Sequence, residues 1–269
     1  MMPNRLDQTF AALKEKREGA LVAFITAGDP SLLGTPNLIA ALAEAGADIV
    51  ELGVPYSDPL ADGPSIQDAS QRALERGVTP PLVFDMVRVA RAKTQVPIVL
   101  MTSYNLALKY GLTGFAKTAA EAGADGVILT DLPPEEAEAW KREADRCNLA
   151  TIFLVAPTST PERVRKIAKI SSGFVYCVSR TGVTGVRSEM ATELSATVAQ
   201  IKAATEKPVC VGFGISTPEH VRQVVAMADG AVIGSALVDF LHSRANAPER
   251  ESELRELVSG WKAATRPSM

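Results

Sequence analysis

The stretch DIVELGVPYSDPLADGP, residues 48–64, joins an apolar strand to a loop that contains acids. Residues 48–53 have the apolar character of a buried strand, yet Glu51 lies in the middle of it. Burying a charge is costly, so a carboxyl there calls for a reason other than packing. The loop that follows is rich in Pro, Asp and Gly and carries a second carboxyl, Asp62. Two acids at one strand end indicate proton-transfer chemistry.

Short apolar runs of the same kind recur along the whole chain. The eight runs are residues 21–26, 49–53, 98–101, 126–130, 151–155, 174–178, 209–212 and 231–233. Helical patterns lie between them, as in residues 35–45, 113–122, 134–146 and 161–170. Strands that alternate with helices predict a parallel sheet. Eight such units predict an α/β fold, a closed (β/α)8 or TIM barrel, with residues 1–269 as a single domain. A doubly wound open sheet is the alternative, but no GxGxxG turn follows the first strand.

Several segments go beyond the eight units. Residues 5–17 carry apolar residues at helical spacing and predict an N-terminal helix that closes the bottom of the barrel. Extra helical segments are expected after strands 2 and 8, with a final outer helix at residues 251–263. The hexapeptide AEAGAD occurs twice, at residues 43–48 and 120–125. Its glycine suits a left-handed helix end, and we favour convergent turn chemistry over duplication as its origin.

Composition excludes several classes of function. The 269 residues carry a net charge of −3 with no basic stripe, which argues against nucleic-acid binding. No apolar run is long enough for a membrane span. The three cysteines are far apart and odd in number, so a reduced, cytoplasmic protein is expected. With only His220 and His242, neither at ligand spacing, we expect no metal site and no Ser-His-Asp triad.

Glu51 and Asp62 are the candidate acid–base groups. Side chains alternate along a strand, so Glu51 points into the barrel if Val50 and Leu52 pack against the outer helices. Burial would raise its pKa and suit a proton donor. The alternative for Glu51 is a core carboxylate paired with Arg or Lys. The alternative for Asp62 is a turn residue before Gly63.

Two glycine turns are candidates for binding a phosphate. Gly212-Phe213-Gly214 follows the seventh strand, and Gly234-Ser235 follows the eighth, with Ser235 expected to cap a short helix through Leu241. Backbone N–H groups at a helix start bind phosphate, and barrels commonly place a phosphate between these two loops. Tight turns without a ligand are the alternative. A glycine-containing loop at residues 180–189 could act as a lid, or be a surface loop.

Read together, these motifs resemble the tryptophan synthase alpha chain family over nearly the whole chain. The matching strings are VELGVPYSDPLADGP at residues 50–64, FITAGDP at 24–30, SRTGVTG at 179–185, GFGISTP at 212–218 and GSA at 234–236. The resemblance implies a (β/α)8 barrel lyase that cleaves indole-3-glycerol phosphate to indole and glyceraldehyde 3-phosphate, a reverse aldol reaction in tryptophan biosynthesis.

The resemblance also implies roles for individual residues. Glu51 would protonate the indole ring and assist the side-chain hydroxyl, and Asp62 would hold the indole N–H. Thr184 would close over the site on the lid, and Tyr176 would line the site beside Glu51. Family phosphate positions match Gly185, Phe213, Gly214, Gly234 and Ser235. Family indole-pocket positions match Phe24, Ile128, Thr130 and Leu154.

The resemblance finally implies a partner. The family's alpha chain works in an alpha2beta2 complex with a beta chain that uses pyridoxal phosphate (PLP), and the alpha chain itself needs no cofactor. Residues 55–59 and the stretch around Tyr104 and Asn105 correspond to the contact surface. Three alternatives stay open: a stand-alone lyase that releases free indole, another phosphate-binding barrel isomerase, and a non-catalytic barrel that activates a partner.

Overall fold

The structure, a computed structural model, describes residues 4–59, 62–178, 189–212 and 214–267. Within these residues nine strands form one parallel sheet, surrounded by twelve helices. The strands are β1 (Ala20–Thr26), β2 (Ile49–Gly53), β3 (Ile98–Thr102), β4 (Gly126–Leu129), β5 (Ala150–Ile152), β6 (Leu154–Val155), β7 (Val175–Val178), β8 (Val209–Gly212) and β9 (Gly230–Ile233). The helices are α1 (Arg5–Lys16), α2 (Thr35–Glu44), α3 (Pro64–Glu75), α4 (Pro80–Arg91), α5 (Tyr104–Tyr110), α6 (Leu112–Ala122), α7 (Glu138–Arg146), α8 (Pro161–Ile170), α9 (Glu189–Ala204), α10 (Pro218–Val225), α11 (Ser235–Ser243) and α12 (Arg250–Ala264).

The sheet closes into a barrel. Its strand order is β5-β4-β3-β2-β1-β9-β8-β7-β6. Only Phe153 separates β5 from β6, and its carbonyl accepts the N–H of Tyr176 on β7 at 3.1 Å. The two terminal strands are therefore parts of the predicted fifth strand, and the sheet has eight positions. The predicted (β/α)8 barrel is confirmed, and each predicted strand end lies within one residue of the observed end.

Alternating side chains give the barrel an inner and an outer core. On β1 and β2, Val22 and Ile49 belong to the inner cluster, whereas Leu21, Val50 and Leu52 pack in the outer cluster against the helices. Strands that are buried on both faces need apolar residues at nearly every position, as these have. This alternation fixes which face of the strand Glu51 occupies.

The N-terminal helix closes one end of the barrel, as predicted. Leu6, Phe10 and Leu13 of α1 are buried and join the inner cluster, where Phe10 packs against Phe174 with ring centroids 5.9 Å apart. The helix begins with a capping box between Asn4 and Asp7. Because α1 seals this end, the opposite end, at the carboxyl ends of the strands, is where a ligand can enter.

The extra helices follow three strands instead of two. Helices α3 and α4 follow β2, and α11 and α12 follow the eighth strand position, β9, as predicted. The short helix α5, which Ser103 caps through the N–H of Leu106, was not predicted. The predicted helix at residues 134–146 begins only at Glu138, because residues 134–137 form a tighter turn.

The repeated AEAGAD sequence has a structural role at the bottom of the barrel. Gly46 and Gly123 have φ values of 113° and 103°, as expected for glycines that end a helix. The aspartates that follow accept backbone N–H groups of the neighbouring strand: Asp48 from Leu21 at 2.7 Å and Asp125 from Ile98 at 2.9 Å. Asp229, in the weaker echo MADGAV, accepts from Val209 at 2.9 Å. The aspartates of the three segments therefore share one role, as acceptors for the neighbouring strand.

Candidate active site

A cavity of about 400 Å³ opens at the carboxyl ends of the strands. It brings together side chains and backbone from five strands and from the segments that follow β2, β8 and β9. Its walls are Phe24, Glu51, Asp62, Gly63, Ile66, Met101, Tyr176, Gly214, Ile215, Ser216, Val232, Gly234, Ser235, Ala236 and Asp239. Seven of the residues selected from the sequence thus lie around one space.

Glu51 lies on the inner face of β2 and is 1% exposed. Its Oε2 atom has no hydrogen-bond partner, and no Arg or Lys of the described residues forms an ion pair with it. Burial, and secondly the charge of Asp62, raise the pKa of Glu51 to about 8. A carboxyl with this pKa keeps its proton at neutral pH and can act as a general acid. The described residues therefore do not support the alternative that Glu51 is a core carboxylate paired with Arg or Lys.

Asp62 faces Glu51 across the cavity from the segment that precedes α3. Burial raises the pKa of Asp62 to about 6, so that the group is mostly ionised at neutral pH. Its backbone N–H donates to the Pro59 carbonyl at 3.0 Å, and its own carbonyl accepts from Nε2 of Gln67 at 2.8 Å. The two acids therefore have different pKa values, which is the arrangement that separates a proton donor from a carboxylate.

Two aromatic rings fit against glycines at the mouth of the barrel. A Cβ at Gly53 would lie 2.9 Å from Cζ of Phe24, and one at Gly212 would lie 2.2 Å from Oη of Tyr176. Tyr176 is buried, and burial, together with nearby Glu51, raises its pKa well above the ordinary range. The glycines leave the space that these rings occupy, so they shape the cavity.

The N-terminus of α11 forms another part of the cavity wall. The helix begins at Ser235, and the cap position is Gly234, which makes no side-chain cap hydrogen bond. The prediction that Ser235 itself caps the helix is therefore wrong by one residue, because the chain already turns into the helix at Ser235. The first N–H groups of a helix have no partner within it, so they can bind an anion. Gly214, with φ of 70°, lies beside this helix end in the same wall.

The remaining predicted pocket residues lie around the cavity instead of in its walls. Ile128 is buried in the inner core, and Leu154 is in register with Tyr176 on the neighbouring strand. Thr130 is within 3.3 Å of Oη of Tyr56 through its Oγ1 atom. Thr184 and Gly185 of the predicted lid at residues 180–189, and Phe213 of the predicted phosphate site, lie outside the described residues.

Sequence reasoning did not select several wall residues. Met101 could have been found, because it shares the inward parity of Val99 on β3. Asp239 follows Ser235 by one helical turn, which also places it on the cavity side of α11. Ile66 carried no signal beyond its position in the first turn of α3.

A second cavity of about 410 Å³ lies between the loop after β1, α2 and α12. It is lined by the exposed Glu251 and by one buried acid, Asp29, which binds Arg72 through two hydrogen bonds and Arg76 through a third. Burial alone would raise the pKa of Asp29, but the two guanidinium groups hold it below the ordinary value. A carboxylate held in this way is a poor proton donor, so this cavity lacks the chemistry of the first.

The described residues contain no helix that could cross a membrane and no cluster of metal-binding side chains. What they do contain is a (β/α)8 barrel whose open end joins two carboxyls of different pKa to a helix N-terminus suited to an anion. The fold and the site together are typical of barrel enzymes that act on a small anionic substrate by acid–base chemistry.

Comparison with known proteins identifies the family. The family model of the tryptophan synthase alpha chain matches residues 10–266. The tryptophan synthase alpha chain of Geobacter sulfurreducens is 55% identical over 261 residues, which cover 97% of this chain and 98% of the relative. The chain belongs to the tryptophan synthase alpha chain family, and it is therefore an enzyme of lyase type in tryptophan biosynthesis.

Solved structures agree with this assignment. The crystal structure of tryptophan synthase subunit alpha from Legionella pneumophila has a TM-score of 0.89 at 38% identity and covers 98% of both chains. A ligand-free tryptophan synthase structure from M. tuberculosis has a TM-score of 0.88 at 35% identity, covering 98% of this chain and 100% of its own. Both identities are high enough for the likeness to extend beyond the fold.

Proposed function

We propose that the chain cleaves indole-3-glycerol phosphate to indole and glyceraldehyde 3-phosphate. The observation that carries this proposal is Glu51, a buried carboxyl with no cation beside it, whose pKa is raised to about 8 in the cavity that it shares with Asp62. Carbon–carbon cleavage needs an acceptor for the electrons of the broken bond. An indole ring that is protonated at C3 supplies this acceptor, so the reaction requires neither a Schiff-base lysine nor a metal.

Glu51 carries the proton transfers in this mechanism. Its carboxyl donates a proton to C3 of the indole ring, and a positive charge develops on the ring nitrogen. The bond between C3 and the glycerol chain then breaks, and its electron pair returns to the ring as free indole. The hydroxyl on the carbon that leaves gives its proton to the Glu51 carboxylate, and that carbon becomes the aldehyde. Glu51 ends the cycle protonated, as it began.

Asp62 stabilises the charge that develops on the ring. With a pKa of about 6 it is a carboxylate at neutral pH, and it can accept the hydrogen bond of the indole N–H. A fixed negative group beside a developing positive charge lowers the free energy of the transition state more than that of the bound substrate, so it accelerates the reaction. Tyr176 and Phe24, with Ile128, Thr130 and Leu154 around them, would hold the ring between the two acids.

The phosphate would bind at the N-terminus of α11. Ser235 and the backbone of Gly234 and Gly214 line the cavity wall there, and the helix dipole favours an anion. Gly185 and Phe213 would complete the phosphate site, and Thr184 would close over the substrate from the lid. Holding the phosphate on one wall and the ring near Glu51 would orient the bond that breaks.

A beta chain that uses PLP would take up the indole in an alpha2beta2 complex. The surface beside the cavity mouth supports a partner there. Leu108 and Tyr110 on α5, which begins at Tyr104, are two of the four large hydrophobic side chains exposed among the described residues. Exposed apolar side chains grouped on one short helix are typical of an interaction surface. Residues 55–59 follow the neighbouring strand, β2, and would form the rest of this contact.

A spectrophotometric assay for indole tests the proposal. The purified chain should form indole from indole-3-glycerol phosphate, faster when a tryptophan synthase beta chain is added. Glu51→Gln should abolish indole formation and leave substrate binding nearly intact. Turnover of ribosyl or triose phosphates without indole would favour the isomerase, and a Glu51→Gln chain that stays fully functional would favour the activator. Full activity without any beta chain would favour the stand-alone lyase.

A further inference from the structure

The side chain of Gln67 binds both ends of the short segment that carries Asp62. Its Nε2 atom donates to the carbonyl of Asp62 at 2.8 Å and to the carbonyl of Pro59 at 3.2 Å. The Pro59 carbonyl also accepts the N–H of Asp62 at 3.0 Å. One amide group thus joins the two described residues that flank positions 60 and 61. Gln67 itself is exposed and does not line the cavity.

The helix that carries Gln67 is held firmly to the barrel. Arg72 and Arg76, one turn apart at the end of α3, bind the buried carboxylate of Asp29 in the loop after β1, at distances of 2.8 to 2.9 Å. Arg72 donates two hydrogen bonds to the two oxygens of this carboxylate, and such a bidentate pair fixes the orientation of both groups. In the middle of α3, Ala69 is buried beside Phe24. The amide of Gln67 therefore projects from a fixed support.

We propose that Gln67 is a positioning residue for Asp62, because its amide ties the Asp62 segment to the rigid helix α3 and so holds the Asp62 carboxylate in the cavity. The inference rests on the role proposed for Asp62. Catalytic side chains on irregular segments need support of this kind, since a small displacement lowers the rate steeply. Water could replace either hydrogen bond, but water would not fix the distance between the segment and the helix.

The two hydrogen bonds of the Gln67 amide, which we call the Gln67 tie, have a consequence for the titration of Asp62. Burial is what raises the pKa of Asp62 to about 6. If the segment is released, the carboxylate spends more time in water, and its pKa should fall towards the ordinary value. A residue that only stabilised the helix would change the melting temperature and leave this pKa where it is.

The test compares two substitutions on the same helix. Gln67→Met removes the amide and keeps the size of the side chain without adding charge. Gln71→Met is the matched control, because Gln71 is also exposed and its amide donates only to Glu75, at 2.9 Å. In the full chain, carboxyl-carbon NMR follows the titration of Asp62, assigned by comparison with Asp62→Asn. Indole formation gives kcat and KM over the same pH range, and thermal melting reports folding.

We expect the Gln67→Met chain to melt like the wild type, with a lower Asp62 pKa and with kcat reduced about 10- to 100-fold, more than KM is raised. The Gln71→Met chain should stay within about twofold of the wild type. Identical titrations and kinetics for the two variants would overturn the inference. The NMR titration needs no turnover, so a wild-type chain that makes no indole would refute the proposed function, while a lowered pKa in Gln67→Met alone would still support the tie.

Discussion

At the scale of single residues, pairing separates Glu51 from the other buried acids. Asp29, Asp125 and Glu143 are also buried, and each forms ion pairs with arginines. A buried carboxylate is stable only with such partners, and without them the group keeps its proton. Among the described residues, Glu51 is therefore the fully buried acid that is neutral at pH 7, which is what a proton donor requires.

The raised pKa of Glu51 predicts a pH dependence of stability. Folded Glu51 holds its proton up to a pKa of about 8, against an ordinary value of 4.5. Between these values the folded chain binds more protons than the unfolded chain, so the free energy of unfolding falls as the pH rises from 4.5 to 8. Glu51→Gln removes this loss. Urea denaturation at about pH 5 and at about pH 8 measures this effect. Between the two, the free energy of unfolding of the variant should rise relative to that of the wild type by on the order of a few kcal/mol. A difference that does not change with pH would contradict the burial of a protonated Glu51.

The two acids also predict the pH dependence of the reaction. Asp62 must be ionised and Glu51 protonated, so kcat/KM should rise through a pKa of about 6 and fall through a pKa of about 8. Asp62→Asn should lower kcat about 100- to 1,000-fold and remove the acid limb of the profile, because the amide cannot titrate. Steady-state kinetics across the pH range measures both effects. An acid limb that persists in Asp62→Asn would assign it to another group.

At the scale of elements, the packing of β1 against β2 shapes the site. Gly53 lies beyond Glu51 on the same face of β2, and a Cβ there would come within 2.9 and 3.1 Å of Cζ and Cε2 of Phe24. Gly53→Ala should therefore displace the Phe24 ring from the cavity wall. We expect KM to rise about tenfold through lost apolar contact, with a loss of about 1 to 3 kcal/mol in stability from overpacking.

Gly260 on α12 provides the control for this substitution. A Cβ there would meet nothing within 4 Å. Gly260→Ala should leave KM unchanged and stabilise the chain by about 0.5 to 1 kcal/mol, since alanine favours a helix interior. Kinetics and urea denaturation of both variants measure these effects. If Gly53→Ala binds substrate as the wild type does, Phe24 does not contact the substrate.

The same scale shows which features the sequence predicts. Strands and the inward direction of Glu51 follow from local patterns, because apolar runs and a period of two are properties of adjacent residues. Helix α5 was missed because its seven residues give too short a pattern. The ties of Gln67 to Pro59 and of Asp29 to the arginines of α3 could not be predicted, since they depend on the path of the intervening chain. The close fit of the Phe24 ring against Gly53 could not be predicted for the same reason.

At the scale of the whole molecule, the two ends of the chain meet at the bottom of the barrel. The N–H of Gly19, just before β1, donates to the carbonyl of Thr265, just after α12, at 2.9 Å. Strand β1 pairs with both β2 and β9, so the first strand closes the sheet. Helix α12 packs against α2 and α10 and closes the outer helical layer in the same place. The closed bottom leaves the carboxyl ends of the strands as the open face.

Lys262 of α12 is the charge that links these ends. Its Nζ lies 3.1 Å from Glu18 and 2.9 Å from Asp48, the carboxylate that accepts the N–H of Leu21. All three charged side chains are at most 17% exposed. Lys262→Met would leave the half-buried Asp48 without a cation and Glu18 with Arg266 alone, at 3.3 Å, so we expect a loss of about 3 kcal/mol in the free energy of unfolding.

Arg255 on the same helix is the matched control for Lys262. Its partners, Glu44 and Glu251, are 60% and 72% exposed, and exposed pairs contribute little. Arg255→Met should therefore lower the free energy of unfolding by at most about 1 kcal/mol. Urea denaturation of both variants measures the difference, and indole formation per folded chain should be unchanged in each, because neither Lys262 nor Arg255 lines the cavity that holds Glu51. Equal losses for the two variants would mean that Lys262 does not hold the ends of the chain together.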